Sequence, residues 1–145
     1  MKPRVRGLKT AALSDRVLWG KVNRGMFKIV VQTVRDWDVV GLHGDLDQAG
    51  IEAFRTTIEQ MYGSEKRKFL FDFSDLKFIS SEGLNILLWL RYQLSKGGAF
   101  RLVLSNASSF LEKIFNITKI DAHFEVVSDR AAFLEKEQAA GETSA

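Results

Sequence analysis

The stretch Phe71-Asp72-Phe73-Ser74-Asp75-Leu76-Lys77-Phe78-Ile79-Ser80-Ser81-Glu82-Gly83-Leu84 changes its period halfway along. Over Lys68–Phe73, Phe69, Phe71 and Phe73 fall on one face, and Lys68, Leu70 and Asp72 on the other. That alternation predicts a strand with at least one buried face. From Leu84 onward the apolar residues recur at helical spacing. Leu84, Leu87, Leu88 and Leu94 make the main stripe, which Ile86, Trp89 and Leu90 widen. The predicted helix runs from about Glu82 to Ser95. Between strand and helix lie Ser80, Ser81, Glu82 and Gly83. A hydroxyl in this turn stands among free backbone N–H groups at the positive end of a helix dipole. Such a place suits a helix cap, and it suits a phosphate.

The flanking sequence supplies more strands and helices. Phe27–Val34 and Trp37–Leu42 read as two strands joined at Arg35-Asp36, a hairpin. Gly44-Asp45-Leu46-Asp47 ends it, with Asp47 the expected N-cap of the next helix. In that helix Ile51, Phe54, Ile58 and Met61 form one stripe, and Glu52, Thr56, Glu59 and Gln60 lie off it. Lys96-Gly97-Gly98 closes the helix after Leu94. Phe100–Leu104 reads as a strand. Ser105–Ser109 opens a helix with Phe110, Leu111, Ile114 and Ile117 as its core face. Phe124–Val127 is the last strand, and Ser128-Asp129 caps a helix carrying Phe133 and Leu134. Strands alternating with helices imply an α/β domain. Its sheet is mixed and mostly parallel, with an opening β-hairpin and about four covering helices.

Composition sets the frame. The 145 residues are 46% hydrophobic and 27% charged, with no Cys and two His. One domain is expected, over residues 27–137, and a frayed tail over 138–145. The lack of Cys removes disulfides and thiol chemistry. His43 and His123 lack metal-ligand spacing, so no metal and no cofactor are expected. The longest apolar run, Ile86–Leu90, is far short of the roughly 20 residues that span a bilayer. No apolar signal segment precedes the domain, so a cytoplasmic location is expected. The net charge of +3 is unevenly placed. Residues 1–26 carry seven Lys or Arg and one Asp, net +6, which leaves net −3 for the remainder. The segment reads as a flexible basic extension. Alternatives are a contact with nucleic acid or acidic lipid, partial docking through Leu8, Leu13, Val17, Leu18 and Trp19, or a natural start at Met26.

Catalysis has no positive signal. No Gly-x-Ser-x-Gly elbow surrounds Ser81, and no phosphate loop is present. Asp45, Asp47, Asp72 and Asp75 could gather near one sheet end to hold Mg²⁺, although strand ends are often acidic for capping alone. The protein is expected not to be an enzyme.

Two pieces of the sequence together resemble the STAS domain of bacterial anti-sigma factor antagonists. They are Gly44-Asp45-Leu46-Asp47 and the block from Asp72 to Leu84. The first is similar to that family's Gly-Glu-Leu-Asp turn. The second matches its Asp-x-Ser-x-Leu-x-Phe-[Ile/Met]-[Asp/Ser]-Ser-x-Gly-Leu pattern nearly throughout, and the similarity extends over about Phe27–Leu134. The resemblance implies partner switching. Ser81 is the expected phosphorylation site, with Ser80 a second candidate. A GHKL-type serine kinase that is itself the anti-sigma factor binds the unphosphorylated form, and a serine phosphatase resets it. Asp45, Asp47, Ser80, Ser81, Glu82, Gly83, Leu84 and Trp89 are the expected partner-binding residues. Neither a membrane span nor direct sequence-specific nucleic-acid binding is implied, and the oligomeric state is left open. Four features depart from the family pattern: Ser80 where Asp is frequent, Glu82 where a small residue is usual, Lys119 where Gly is usual, and the basic N-terminus. A second reading is a STAS subunit that works without phosphorylation, in a lipid-transport ABC system or a stress-signalling complex.

Overall fold

The computed structural model of the chain describes residues 15–19, 27–64 and 67–144, and the side chains from 27 to 64 and from 67 to 139. Among the described residues the strands and α-helices follow in order: β1 (Asp15–Trp19), β2 (Phe27–Val34), β3 (Trp37–Leu46), α1 (Ile51–Gly63), β4 (Lys68–Ile79), α2 (Ser81–Ser95), β5 (Arg101–Ser105), α3 (Ser109–Thr118), β6 (Glu125–Val127) and α4 (Arg130–Ser144), with a short 3-10 turn at Ile120–Ala122 after α3. Sequence order is also the order across the sheet. β1, β2 and β3 are antiparallel neighbours, and β3 through β6 pair in parallel. This is the mixed α/β sheet with an opening hairpin that the periodicity predicts.

β4 lies in the middle and buries both faces. Phe69, Phe71 and Phe73 join Ile29, Val31, Val40 and Leu42 in the main core, roofed by α1, α2 and α3. Leu70 points the other way, into a smaller cluster with Trp37, Val39 and Val103 that Phe133 and Leu134 of α4 cover. Arg101 helps to anchor α4 there, as does Arg35, which donates to the Leu134 carbonyl at 3.0 Å. The Arg101 guanidinium sits 5.3 Å from the Trp37 ring centroid and 5.6 Å from that of Phe133, and it pairs with Glu125 and Glu137. The hydrogen bonds that Arg101 donates to Glu125, and then to Glu137, hold its pKa above the ordinary value, against the opposing effect of burial. Arg101 thus lies charged against the two rings, which themselves meet edge-on with centroids 5.2 Å apart.

Five local expectations need correction or addition. A strand, β1, pairs with β2 inside the basic segment; the rest of that segment lies outside the described residues. β3 and β4 run on beyond the predicted ends, to Leu46 and Ile79. Register shifts at Gly41/His43 and Gly44/Asp45 let the two strands stay paired, and Gly44 takes φ 94°, a backbone region that suits glycine. The α1 N-cap is Gly50, not Asp47. Asp47 Oδ1 instead accepts from Ala49 N–H at 3.1 Å, bracing the turn before the helix. On α3, Phe110 and Ile117 are 52% and 76% exposed. Leu111 and Phe115 form its inward stripe, with Phe115 edge-on to Phe73 at 5.4 Å. α4, finally, continues to Ser144, through residues whose composition suggests fraying.

The C-terminus of α3 answers the missing glycine. Lys119 itself adopts the left-handed cap, φ 66°, with its N–H bonded towards Phe115 and Asn116 carbonyls. A side chain in that region is strained by about 1–2 kcal/mol, partly offset by the extra chain entropy that glycine loses on folding. Lys119→Gly is therefore expected to stabilise the protein by about 0.5–1 kcal/mol, read as a higher urea midpoint with an unchanged m-value.

Candidate functional site

The two sequence motifs, some thirty residues apart in the chain, meet at the C-terminal ends of β3 and β4. Asp45 lies in register with Phe78, and Leu46 with Ile79. The backbone of the turn is then tied to β3, because Ser80 N–H donates to the Leu46 carbonyl at 2.9 Å. This bond fixes where α2 begins.

The two serines divide the work. Ser80 is the N-cap: its backbone is extended, and its Oγ accepts from Gly83 N–H at 3.2 Å. It is half-buried. Ser81 is the first helical residue and is exposed, so its hydroxyl is not the capping group. Glu82, also exposed, occupies the next position, where a carboxylate favours the helix dipole. Asp45 and Asp47 are half-buried at the adjoining end of β3.

Gly83 and Leu84 lie beneath this surface rather than on it. Leu84 is buried in the main core. A Cβ added at Gly83 would stand 2.9 Å from Ile79 Cγ1 and 3.0 Å from Leu46 Cδ2. Glycine is what lets the first turn of α2 rest on the two strand ends. These residues shape the turn from inside, while Ser81 and Glu82 lie on its exposed surface.

Trp89 stands two turns further along α2, 37% exposed, with Tyr62 of α1 edge-on to its ring at 5.8 Å. It lines a shallow cleft of about 400 Å³ between α1 and α2, together with Arg55, Glu59, Glu82, Asn85 and Ile86. Thus one surface carries the serine turn and the tryptophan. Arg55, Glu59 and Asn85 escaped the sequence analysis. Glu59 was visible as a residue off the α1 stripe, but which helix it faces is a tertiary fact. Phe78, 40% exposed next to the turn, lies in the part of β4 beyond the predicted strand.

The carboxylates do not converge as a metal site. Asp75 pairs with His43 at 3.1 Å, Asp72 with Arg130 at 2.8 Å, and Asp47 holds its own turn. Among the described residues no group of three or more potential ligands stands together, and no helix is long and apolar enough to cross a membrane.

A mostly parallel sheet that opens with a hairpin, carries three helices on one face, and sets a serine pair at the start of the second is a STAS-type domain. The family model described as "Mlab, STAS domain" matches residues 29–128, and the chain belongs to that STAS family. Solved structures have the same fold. An anti-sigma factor antagonist from Mycobacterium paratuberculosis superposes with TM-score 0.66 at 21% identity, covering 76% of this chain and 92% of that one. The anti-sigma factor antagonist SpoIIAA in its unphosphorylated form gives 0.59 at 23%, covering 78% and 98%. The phosphorylated form of SpoIIAA, a Bacillus cell fate determinant, gives 0.58 at 23%, covering 75% and 97%. No curated protein matches by sequence.

Two pairs of substitutions test the local assignments. Ser80→Ala removes the cap and is expected to cost about 1 kcal/mol, whereas Ser81→Ala is expected to be near neutral, both read by urea denaturation. Gly83→Ala is expected to cost about 1–3 kcal/mol through overpacking against Ile79 and Leu46. Gly63→Ala, at a helix position with nothing within 4 Å, is expected to cost nothing or to stabilise slightly.

Proposed function

We propose that this protein is an anti-sigma factor antagonist working by partner switching in the cytoplasm, a binding protein and not an enzyme. A GHKL-type serine kinase, itself the anti-sigma factor, docks on the α2 turn and phosphorylates Ser81; a serine phosphatase restores the free form. Exposed Ser81, Glu82 and Trp89, with half-buried Asp45, Asp47 and Ser80, form the contact face, and Gly83 and Leu84 hold its shape. Residues 27–137 are the binding domain.

The observation that carries this reading is the division of labour between the serines. Ser80 caps the helix, while Ser81 is exposed and its hydroxyl has no hydrogen-bond partner among the described residues. Phosphorylation there leaves the fold intact and changes only the surface. A phosphate brings about −1.5 to −2 charges and three strong acceptors. Next to Glu82, Asp45 and Asp47, it sets a dense negative charge into a face that a partner must desolvate. Repulsion of about 3 kcal/mol changes partner occupancy roughly a hundredfold. The SpoIIAA structures in two phosphorylation states support the analogy for that protein.

A second reading has its own support. The matching family model bears the MlaB description, and the exposed Trp89 and Tyr92 on α2 suit a permanent interface. In that case the chain is a constitutive STAS subunit of a lipid-transport ABC system, or a scaffold of a stress-signalling complex.

Phosphopeptide mapping of protein isolated from its own host separates the two. Switching predicts a phosphate on Ser81 that varies with growth conditions and disappears in Ser81→Ala. It also predicts one partner lost on phosphorylation. Unmodified Ser81 under all conditions, with a stable partner kept by Ser81→Ala, overturns the switch in favour of the constitutive subunit.

A further inference from the structure

The cleft between α1 and α2 has a chemistry of its own. Successive turns of the two helices line it: Arg55 and Glu59 from α1, and Glu82, Asn85, Ile86 and Trp89 from α2. Ile86 is nearly buried and supplies apolar surface, while Trp89, braced by Tyr62 at 5.8 Å, stays 37% exposed. The lining holds two carboxylates and one guanidinium, a net charge of −1. Arg55 lies 3.5 Å from Glu52, an exposed pair of the kind that contributes little. Neither Glu59 nor Glu82 has an ion pair or hydrogen bond among the described residues.

These features select an occupant. A volume of about 400 Å³ holds one long side chain, not a second element of structure. The carboxylates disfavour a phosphate, a nucleotide or an acidic side chain. An indole beside carboxylates favours a cation that stacks and hydrogen-bonds at once. An arginine does both, because its guanidinium is planar, weakly hydrated and able to donate two parallel bonds to a carboxylate. A lysine ammonium is a strongly hydrated point charge and loses more on leaving water.

We propose that the α1–α2 cleft is an arginine subsite of the partner-binding face, in which one arginine of a protein partner lies against Trp89 and bonds Glu59 and Glu82. The proposal rests on the reading that this end of α2 meets a protein partner, and it says which partner uses the cleft. Ser81 directly precedes Glu82, so a phosphate there adds negative charge beside the subsite. That charge repels a partner that must bury it, but it attracts a guanidinium already in the cleft. The arginine therefore belongs to the partner that engages the phosphorylated form. In the switch this is the phosphatase, and not the anti-sigma factor that phosphate displaces.

The test is an NMR titration of the isotope-labelled full chain with three capped peptides: Gly-Arg-Gly, Gly-Lys-Gly and, as an uncharged isostere, Gly-citrulline-Gly. Saturable shifts are expected on Glu59, Glu82, Asn85 and the Trp89 indole with the arginine peptide, at a Kd of about 1–10 mM. The lysine peptide is expected to bind more weakly and the citrulline peptide not at all. Glu59→Gln/Glu82→Gln is expected to weaken arginine binding about tenfold while its spectrum away from the cleft matches the parent. Chain made with phosphoserine at position 81 is expected to bind the arginine peptide about threefold more tightly. Equal shifts with all three peptides, shifts centred on another face, no localised shift, or binding unchanged in the double variant overturns the subsite. So do shifts at these residues that grow with protein concentration alone, which would give the cleft to a second copy. Equal or weaker binding with phosphoserine overturns the assignment to the phosphatase. Because the phosphoserine is installed during synthesis, none of these outcomes depends on whether the host phosphorylates Ser81, and failure of the switch and failure of the subsite show separately.

Discussion

The pairing of two strand ends, Asp45–Leu46 of β3 with Phe78–Ile79 of β4, is the constraint on which the site depends. Parallel strands in such a sheet need only pair along their central residues to hold a fold together. Here the pairing continues past two register shifts, and that extra length carries the turn to the rim. The hydrogen bond from Ser80 N–H to the Leu46 carbonyl then sets the first residue of α2. Without that anchor the cap, the exposed serine and the cleft would have no fixed relation to one another.

The central layer is legible in the sequence because period alone dictates it. Phe69, Phe71 and Phe73 alternate, Leu84, Leu87 and Leu94 follow a helical stripe, and all are buried. The ends of elements are less legible, and for a physical reason. Ser74 to Lys77 look like a connection because Ser74, Asp75 and Lys77 are exposed, yet they stay extended. Backbone hydrogen bonds to β3 hold them, and such bonds leave no trace in side-chain polarity. α3 shows the opposite error. Phe110 and Ile117 are apolar and correctly spaced, but the helix turns Leu111 and Phe115 inward, so the other two face solvent. Hydrophobic residues fill a core, while a single apolar residue on a surface is ordinary.

The serine turn is legible from its motif, but the roles of its residues are not. Two adjacent serines both look able to cap. Only the geometry assigns the cap to Ser80 and leaves Ser81 exposed. The opposing wall of the cleft was invisible for another reason. Arg55 and Glu59 belong to α1, and nothing local says that they face Glu82 and Trp89 of α2 across a gap.

This arrangement also explains why the motif marks a fold more sharply than a function. Its least replaceable members point inward. Gly83 has no room for a methyl group, Leu84 and Ile79 are buried, and Gly44 needs a positive φ. Any sequence that builds this turn must satisfy those packing conditions, whatever binds outside. Ser81, Glu82 and Trp89 satisfy no comparable condition. Ser81 and Glu82 are exposed, and Trp89 shares its edge with a single ring. Substitutions at Ser81 and Glu82 alter surface charge at little cost in stability. A switch and a permanent subunit can therefore both be built on the same strand ends. What separates them is the chemistry of three side chains on the rim, Ser81, Glu82 and Trp89.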